Sequence, residues 1–501
     1  MNLPFERLPV PAISLDAPAC SVLLKRRLGG LRSLRLVGLG VLGLMLTACA
    51  VGPDYQPPTQ DVGAAYAHAP DGQWQPAQPV DSALPLQWWR LFDDLGLDGL
   101  MVRMPLANPD LAQAEAQYRQ AQAALGSARS NLFPSLDAGL SGARAGQGIS
   151  SANNPATNYS LSATVSWEVD LWGRVRRDIE AAQAGAQASQ ADLAAMRLSL
   201  QSTLAQTYFA VRASQQQDIL LGRTLDEYER ALQVTRNRYQ AGVASSADVA
   251  AASAQLDQAR VQRIRLTWQR EQQVHALAIL LGLVPAGFQM PMDAALPSVP
   301  DVPTGVPSAL LQQRPDVAAA ERRVAQANAR IGVAQAAWFP DLTLSAQGGF
   351  RAGEFASWIM APARFWTLGP SLALSLFDGG ARSAAVDAAR ADYDAQAAAY
   401  RKTVLEALRE VEDALVQSQA LVDEQAAQDQ ALAAARETLR QTNNQYLAGL
   451  VDYLNVVQAQ TSALSAEQNA LDLQSQRLTA TVRLMAALGG GTQGAASPEI
   501  E

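Results

Sequence analysis

Two cysteines, Cys20 and Cys49, and two histidines, His68 and His275, are all that the 501 residues provide. That scarcity excludes a zinc site or a Cys/His nucleophile pair at the usual spacing. The G-x-x-x-x-G-K, G-x-S-x-G and H-E-x-x-H patterns are missing as well. Acidic residues are scattered along helical stretches, the pattern of a solvated face. The chain is therefore not read as an enzyme, and no catalytic, metal or cofactor site is expected. Aromatics make up only 6% of the residues and charged side chains 17%, while 49% are hydrophobic, with Ala and Leu prominent. Such composition favours long, closely packed helices over a bulky globular core. Basic charge is also short. Residues 1–48 hold six basic and two acidic residues; the remainder has 33 against 45, a net charge of −12. A nucleic-acid partner calls for a basic footprint that this chain lacks.

What is present begins with an address. Lys25-Arg26-Arg27, Arg32 and Arg35 precede an apolar run over residues 36–46. The run is too short to span a bilayer as a helix and reads as the core of a secretory signal. It ends in Leu46-Thr47-Ala48-Cys49, which resembles the bacterial lipobox. There the cysteine thiol receives a diacylglycerol and the peptide is cut just before it, so the expected covalent group is lipid on Cys49, diacylglycerol with an N-acyl chain. The alternative is a chance cysteine behind a signal peptide. Ala50, rather than Asp, favours the outer membrane by analogy with lipoprotein sorting. Residues 1–24 do not read as a signal n-region, so the expected translation start lies downstream of Met1.

The chain also repeats itself. Asn108-Pro109-Asp110-Leu111 recurs as Arg314-Pro315-Asp316-Val317, and Leu132-Phe133-Pro134-Ser135-Leu136 as Trp338-Phe339-Pro340-Asp341-Leu342. Asp170-Leu171-Trp172-Gly173-Arg174 has a looser counterpart in Phe377-Asp378-Gly379-Gly380. Arg238-Tyr239-Gln240-Ala241-Gly242-Val243 recurs as Gln445-Tyr446-Leu447-Ala448-Gly449-Leu450. Each unit opens with a Pro-Asp helix, 109–131 and 315–337, where proline suits the first turn. Leu136, Ala138 and Leu140 alternate with polar or small residues, as do Leu161, Ala163, Val165 and Trp167. Leu342, Leu344 and Ala346, then Leu372, Leu374 and Leu376, do the same in the second unit. Period two marks strands with one apolar and one polar face, as in a membrane barrel or a half-buried soluble sheet.

Proline is absent from 156–284 and from 371–497, which leaves room for long helices. Residues 174–240 would extend roughly 100 Å. Val404, Leu408, Val411, Leu415 and Val422 keep a heptad-like spacing. Return helices over 247–281 and 452–488 are about half as long, so each could stack end to end with an opening helix beside the long one. Four strands cannot close a membrane barrel, for which eight is the usual minimum. Open edges in lipid would leave backbone groups unpaired at several kcal/mol each. Closure thus demands several copies: two supply eight strands, three supply twelve.

In order and spacing these residues resemble the TolC-like outer-membrane efflux factors, specifically the lipoprotein branch typified by NodT. Gly52-Pro53-Asp54-Tyr55 with Pro57-Pro58, Trp88-Trp89 with Phe92, and Trp167 through Arg174 join the repeated motifs in carrying the resemblance, which covers about residues 49–490. It implies a mainly α fold with a membrane β-barrel: a homotrimer with twelve strands, four per chain, continued by an α-helical periplasmic tunnel. The implied segments are a signal peptide (1–48), a lipidated amino-terminal segment (49–107), a first repeat (108–284), an equatorial Pro-rich connector (285–313), a second repeat (314–490) and a tail (491–501). The implied function is passive export of drugs or other small molecules, as the exit duct of a tripartite system. Its partners would be a periplasmic adaptor and an inner-membrane pump of the resistance-nodulation-division type. A type I protein-secretion duct is the alternative.

The resemblance also implies sites. Tyr239, Gly242 and Gly449 fall at the tip turns and adaptor contacts, with helix termination as a compatible role for the glycines. Tyr446 and Asp452 fall at the periplasmic aperture; helix packing for Tyr446 and helix capping for Asp452 stay open as alternatives. Asn455 and Gln458 stand where relatives carry Asp, so a salt-bridged lock does not carry over. Trp167 and Trp172 would belong to a membrane-interface belt.

Overall fold

The computed structural model describes residues 50–59, 87–146, 156–291, 295–302, 314–357 and 359–491. It divides into 1–49 and 50–501, and only the second unit holds described residues. The signal segment with Cys49, parts of the 285–313 connector and the tail beyond 491 lie outside them.

After a short 3-10 turn (Trp88–Phe92) come α1 (Leu95–Ala107), α2 (Pro109–Ser130), β1 (Ser135–Ala145), β2 (Ala156–Val169), α3 (Arg174–Gln240) and α4 (Ser246–Leu280). The second unit repeats the order: α5 (Pro315–Ala336), β3 (Asp341–Ala352), β4 (Arg364–Ala373), α6 (Ala381–Leu447) and α7 (Tyr453–Ala487). Paired helices have equal lengths: 22 residues in α2 and α5, 67 in α3 and α6, 35 in α4 and α7. Each long helix starts the same way. Gly173 and Gly380 take left-handed conformations with φ of 83° and 93°. The Asp170 carboxylate accepts from Val175 N and Arg176 N at 3.1 and 3.0 Å, and Asp378 from Gly380 N and Arg382 N at 3.0 and 3.2 Å. These anions satisfy first-turn donors and sit at the positive end of the helix dipole.

The short helices do stack end to end. Asn108 caps α2, its Oδ1 accepting from Leu111 N at 2.9 Å, and donates through Nδ2 to Leu280 O, the last residue of α4, at 2.8 Å. Gly282, with φ 65°, lies so near that a Cβ would stand 2.0 Å from Ala107 O. Arg314, one repeat on, donates through Nη1 to Ala487 O at 3.0 Å at the end of α7. The same contact is thus made by an amide in one unit and a guanidinium in the other. One apolar core among the described residues spans both junctions, and at the first it sets Trp88, Phe92, Leu97, Met101 and Met104 against Tyr208 and Phe209 of α3. The Phe92 and Phe209 rings are 4.9 Å apart, and Tyr208 Oη donates to Asp94 at 2.7 Å.

The strands form one antiparallel sheet in the order β1-β2-β3-β4. Its register places Leu136 beside Val165, Val165 beside Ala346 and Ala346 beside Leu368, an unbroken apolar row. The neighbouring row reads Asp137, Thr164, Gln347 and Thr367. Opposed residues of an antiparallel sheet share a face, so one face is apolar and the other polar. β4 lies upstream of the expected alternation over 371–376. It pairs through Arg364–Ala373, and Ala373 meets Asp341, the first residue of β3; beyond it the ladder has no partner for Leu374 and Leu376. Pro370 lies in β4, an edge strand of the protomer's sheet, opposite Leu344 of β3. The seam of α6 also departs from a strict heptad. Val404, Val411 and Leu415 are buried, but Val422 is exposed and Leu421 packs against Leu473 and Ala480 instead. A straight helix drifts by about 20° per heptad, enough to hand the stripe to the adjacent residue.

Candidate functional site

The apolar face of the sheet is bare within the protomer. Leu136, Leu140, Leu368 and Leu372 are exposed, and Trp366 is 81% exposed. On the polar face the Arg351 guanidinium covers the one large aromatic, Phe365, at 4.6 Å. Among the described residues β1 and β4 are each paired on one side only, and no helix is long and apolar enough to cross a membrane. This surface, apolar on one side, polar on the other and unfinished at both edges, is the first part of the site.

The second part is the sheet–helix junction. Trp167 and Trp172 are half-buried. Trp167 Nε1 donates to Leu132 O at 3.0 Å, and Trp172 Nε1 to Pro340 O at 2.9 Å, so each indole ties a strand end to the turn that precedes β1 or β3. The Trp172 ring also stacks on Phe339 at 4.7 Å. Each indole thus presents an apolar ring and a satisfied N–H, as interfacial aromatics do.

At the same level lies a feature the sequence did not announce. The buried Arg177 reaches back to the Gly-Pro-Asp-Tyr segment, donating to Val51 O and Gly52 O at 3.3 Å each and pairing with Asp54 at 3.0 Å. Asn328 Nδ2 donates to Pro53 O at 2.9 Å, and Tyr55 Oη to Glu321 at 2.6 Å. Gly52, with φ 111°, passes so close to Gly332 that a Cβ would lie 2.5 Å from its Cα. Residues 51–55 are thereby strapped across α3 and α5. The motif itself was legible; its receptor, Arg177 with Gly332, carries no local sequence signal.

The third part is the tip, where α3 turns into α4 and α6 into α7. Gly242 and Gly449 have φ of 79° and 78°. Each turn is closed by the same backbone bonds: Gly242 N to Tyr239 O and Val243 N to Arg238 O, then Gly449 N to Tyr446 O and Leu450 N to Gln445 O, all at 2.9 to 3.0 Å. Side chains then diverge. Tyr239 is half exposed, whereas Tyr446 is only 7% exposed. Tyr446 lies 5.2 Å from the Tyr453 ring and under the Arg238 guanidinium at 4.6 Å. Arg238 belongs to the first tip, so this contact brings the two turns together. In this conformation Tyr446 takes its packing role, joining Tyr228, Leu232, Leu256 and Val456 in a small core. Gln255 Nε2 bridges to Tyr228 Oη and Thr461 Oγ1 at 3.1 and 3.0 Å. Burial pushes the Tyr453 hydroxyl up to about 12. Asp452 is exposed and occupies the N-cap position of α7 without a side-chain cap bond. Cys49 lies outside the described residues. Among those residues no group of three or more His, Cys, Asp or Glu is placed to hold a metal ion.

The chain matches the family model described as outer membrane efflux protein over residues 103–283 and 306–490. It is similar to the probable efflux pump outer membrane protein TtgC of Pseudomonas putida, 32% identical over 463 residues that span 91% of this chain and 95% of that one. The outer membrane protein OprJ of Pseudomonas aeruginosa is 31% identical, over 90% of this chain and 95% of its own. Among solved structures, the outer-membrane channel OprN superposes with a TM-score of 0.80 at 31% identity, over 88% of this chain and 99% of the other.

Proposed function

The chain belongs to the outer membrane efflux protein family, and from that premise we propose that three copies close into the exit duct of a tripartite efflux system. That it is an outer-membrane efflux channel with a sheet for the barrel and helices for a periplasmic tunnel follows from the family and fold. Family members are channel proteins, and the named relatives are efflux components rather than secretion ducts.

The observation that carries the assembly is the two-faced sheet whose edges β1 and β4 have no partner among the described residues. In lipid each lost backbone bond costs several kcal/mol, so the edges must meet those of other copies. Three copies make a twelve-stranded barrel, an even number of strands. Its apolar face would meet lipid, its polar face the lumen, and Trp167 and Trp172 would belt the periplasmic interface. Cys49 would carry the lipid, next to residues 51–55 held by Arg177. At the far end the tip turns, with Tyr239, Gly242 and Gly449, are offered to the adaptor. Asp452 supplies an acidic ring at the aperture, while Tyr446 narrows it by pinning α6 to α3. The inner-membrane pump, of the resistance-nodulation-division type, provides the energy; conduction through the duct is passive.

Three measurements test this. Detergent-purified protein should be a trimer by light scattering and should form low-conductance, cation-preferring channels in planar bilayers. A monomer with an intact sheet signal would overturn the assembly. Mass spectrometry of the mature amino terminus should find acylated Cys49, and an unmodified peptide spanning residues 48–50 would remove the lipid anchor from the proposal.

A further inference from the structure

The internal duplication supplies a template for how two copies touch. Within the protomer α3 packs on α5 and α7, while α6 packs on α5 and α7 from the other side, and α2 and α4 pack on α3. The helices therefore lie in four columns, α2/α4, α3, α5/α7 and α6, matching the order β1 to β4. The outer columns, α2/α4 and α6, are the open edges of the helical layer. In the repeat α6 is the counterpart of α3, and α4 the counterpart of α7, both offset by 207 residues. When copies close edge to edge, α6 of one must receive α4 of the next, as α3 receives α7 inside each chain.

We infer that the exposed face of α4 around Ile264, Arg265 and Trp268 docks on Gln417, Ala420 and Glu424 of α6 in an adjacent copy, with Arg265 and Glu424 forming an ion pair that sets the register. The inference rests on the ring-shaped assembly proposed above. Its template is the hydrogen bond from Gln217 on α3 to Asp472 on α7. Moved by one repeat, position 217 becomes Glu424 and position 472 becomes Arg265. A polar contact inside the chain thus maps onto opposite charges at the edges. Both side chains are exposed in the protomer. Other polar pairs of the template, Arg323 with Asp192, Arg322 with Gln187 and Arg483 with Gln206, map onto Gln117 with Ala399, Ala116 with Asp394 and Ala276 with Asp413. None of these is an ion pair, whereas Arg265–Glu424 is, so among these pairs it sets the register by charge.

Size complementarity agrees. Trp268 is 50% exposed and Ile264 69%. The counterpart of Trp268 is Ser475, which together with Ala213 and Gln217 lines a groove shared by α3, α4 and α7. Across the open edge the counterpart of Ala213 is Ala420, and the indole would fill the space that Ser475 leaves empty inside the chain. A half-exposed tryptophan beside an isoleucine would then lose its water-facing area to the neighbouring copy, with the favourable transfer that burial brings.

The test is paired. Arg265→Cys combined with Glu424→Cys, treated with a short bismaleimide, should give covalent dimers and trimers in denaturing gels; either variant alone should give none above background. Arg265→Glu alone should lower the temperature at which the detergent-solubilised trimer dissociates, and Glu424→Arg added to it should restore that temperature. A trimer by light scattering that yields no cross-link, or no rescue by the charge swap, overturns this register and leaves the duct intact. A chain that stays monomeric in its unmodified form overturns both.

Discussion

The two tips share one backbone and use it differently. Both turns place glycine at φ near 79° and close with matching hydrogen bonds. At the first tip Ser245 accepts from Asp248 N at 3.1 Å while the Asp248 carboxylate accepts from Ser245 N at 2.8 Å, a complete capping box. At the second tip the corresponding residues are Asp452 and Asn455, and no side chain caps α7. Tyr446 is buried there, whereas its counterpart Tyr239 is half exposed. One tip is held by its own cap and faces outward; the other is held by its neighbour through Arg238. Duplication thus conserved the fold of the turn and left its side chains different: the first end is closed by its own capping box, and the second starts α7 with an exposed carboxylate that makes no cap bond.

The sharpest break of that comparison is truncation of the two tyrosines. Tyr446→Ala should cost about 3 kcal/mol, the scale of removing a buried aromatic, and loosen α6 from α3. Tyr239→Ala, at an exposed site, should stay within about 0.5 kcal/mol. Hydrogen exchange at the tip distinguishes them: protection around residues 446–456 should fall only in the first. Equal loss in both variants would mean that the tips are interchangeable.

The helix junctions offer a second contrast. Arg314 holds Ala487 O, Glu410 and Asp316 with a side chain only 10% exposed. Arg314→Ala should cost about 2–3 kcal/mol, since its partners remain partly solvated and limit the charge penalty. Asn108→Ala loses one cap and one carbonyl contact, about 1–2 kcal/mol. Melts followed by helical circular dichroism should rank Arg314→Ala below Asn108→Ala. The reverse order would show that the cap outweighs the guanidinium network.

Capping gives a smaller difference. Ser245→Ala should lower stability by about 1 kcal/mol, and Asp452→Ala should leave it unchanged, because no cap bond is there to lose. A drop in both would reveal a dipole contribution from Asp452 as large as the Ser245 cap.

These contrasts also mark what could be read from the chain. Helix limits were legible because punctuation is local: Pro109 and Pro315 open helices, and Gly242 and Gly449 permit the tip turns. Two-faced strands were legible in β1, β2 and β3 because alternation is local too. β4 was misplaced because its end is set by where β3 begins, at Asp341, a partner distant in sequence. For the same reason Tyr446 could not be assigned: its burial depends on Arg238, some two hundred residues away and on another hairpin. Arg177 was missed because a buried arginine in an Ala-rich helix looks like any solvated one until residues 51–55 lie across it. Near-neighbour chemistry was readable, and contacts between repeats were not.

The smallest effect on stability carries the most about function. Asp452 is exposed and uncapped, and three copies would ring an aperture with three carboxylates. Fixed acidic rings favour cations in pores, and the chain outside residues 1–48 is already acidic. Asp452→Asn removes the charge and keeps the shape, so the melting temperature should hold while the reversal potential in a salt gradient moves toward zero. Asp248→Asn is the matched control at the first tip. It weakens the carboxylate half of the capping box and should lower stability by about 0.5 kcal/mol without altering selectivity. If selectivity instead follows Asp248, the first tip lines the pore and the roles of the two tips are exchanged. If neither substitution shifts the potential, the constriction is set elsewhere along the duct, and Asp452 is only an exposed residue at the start of α7.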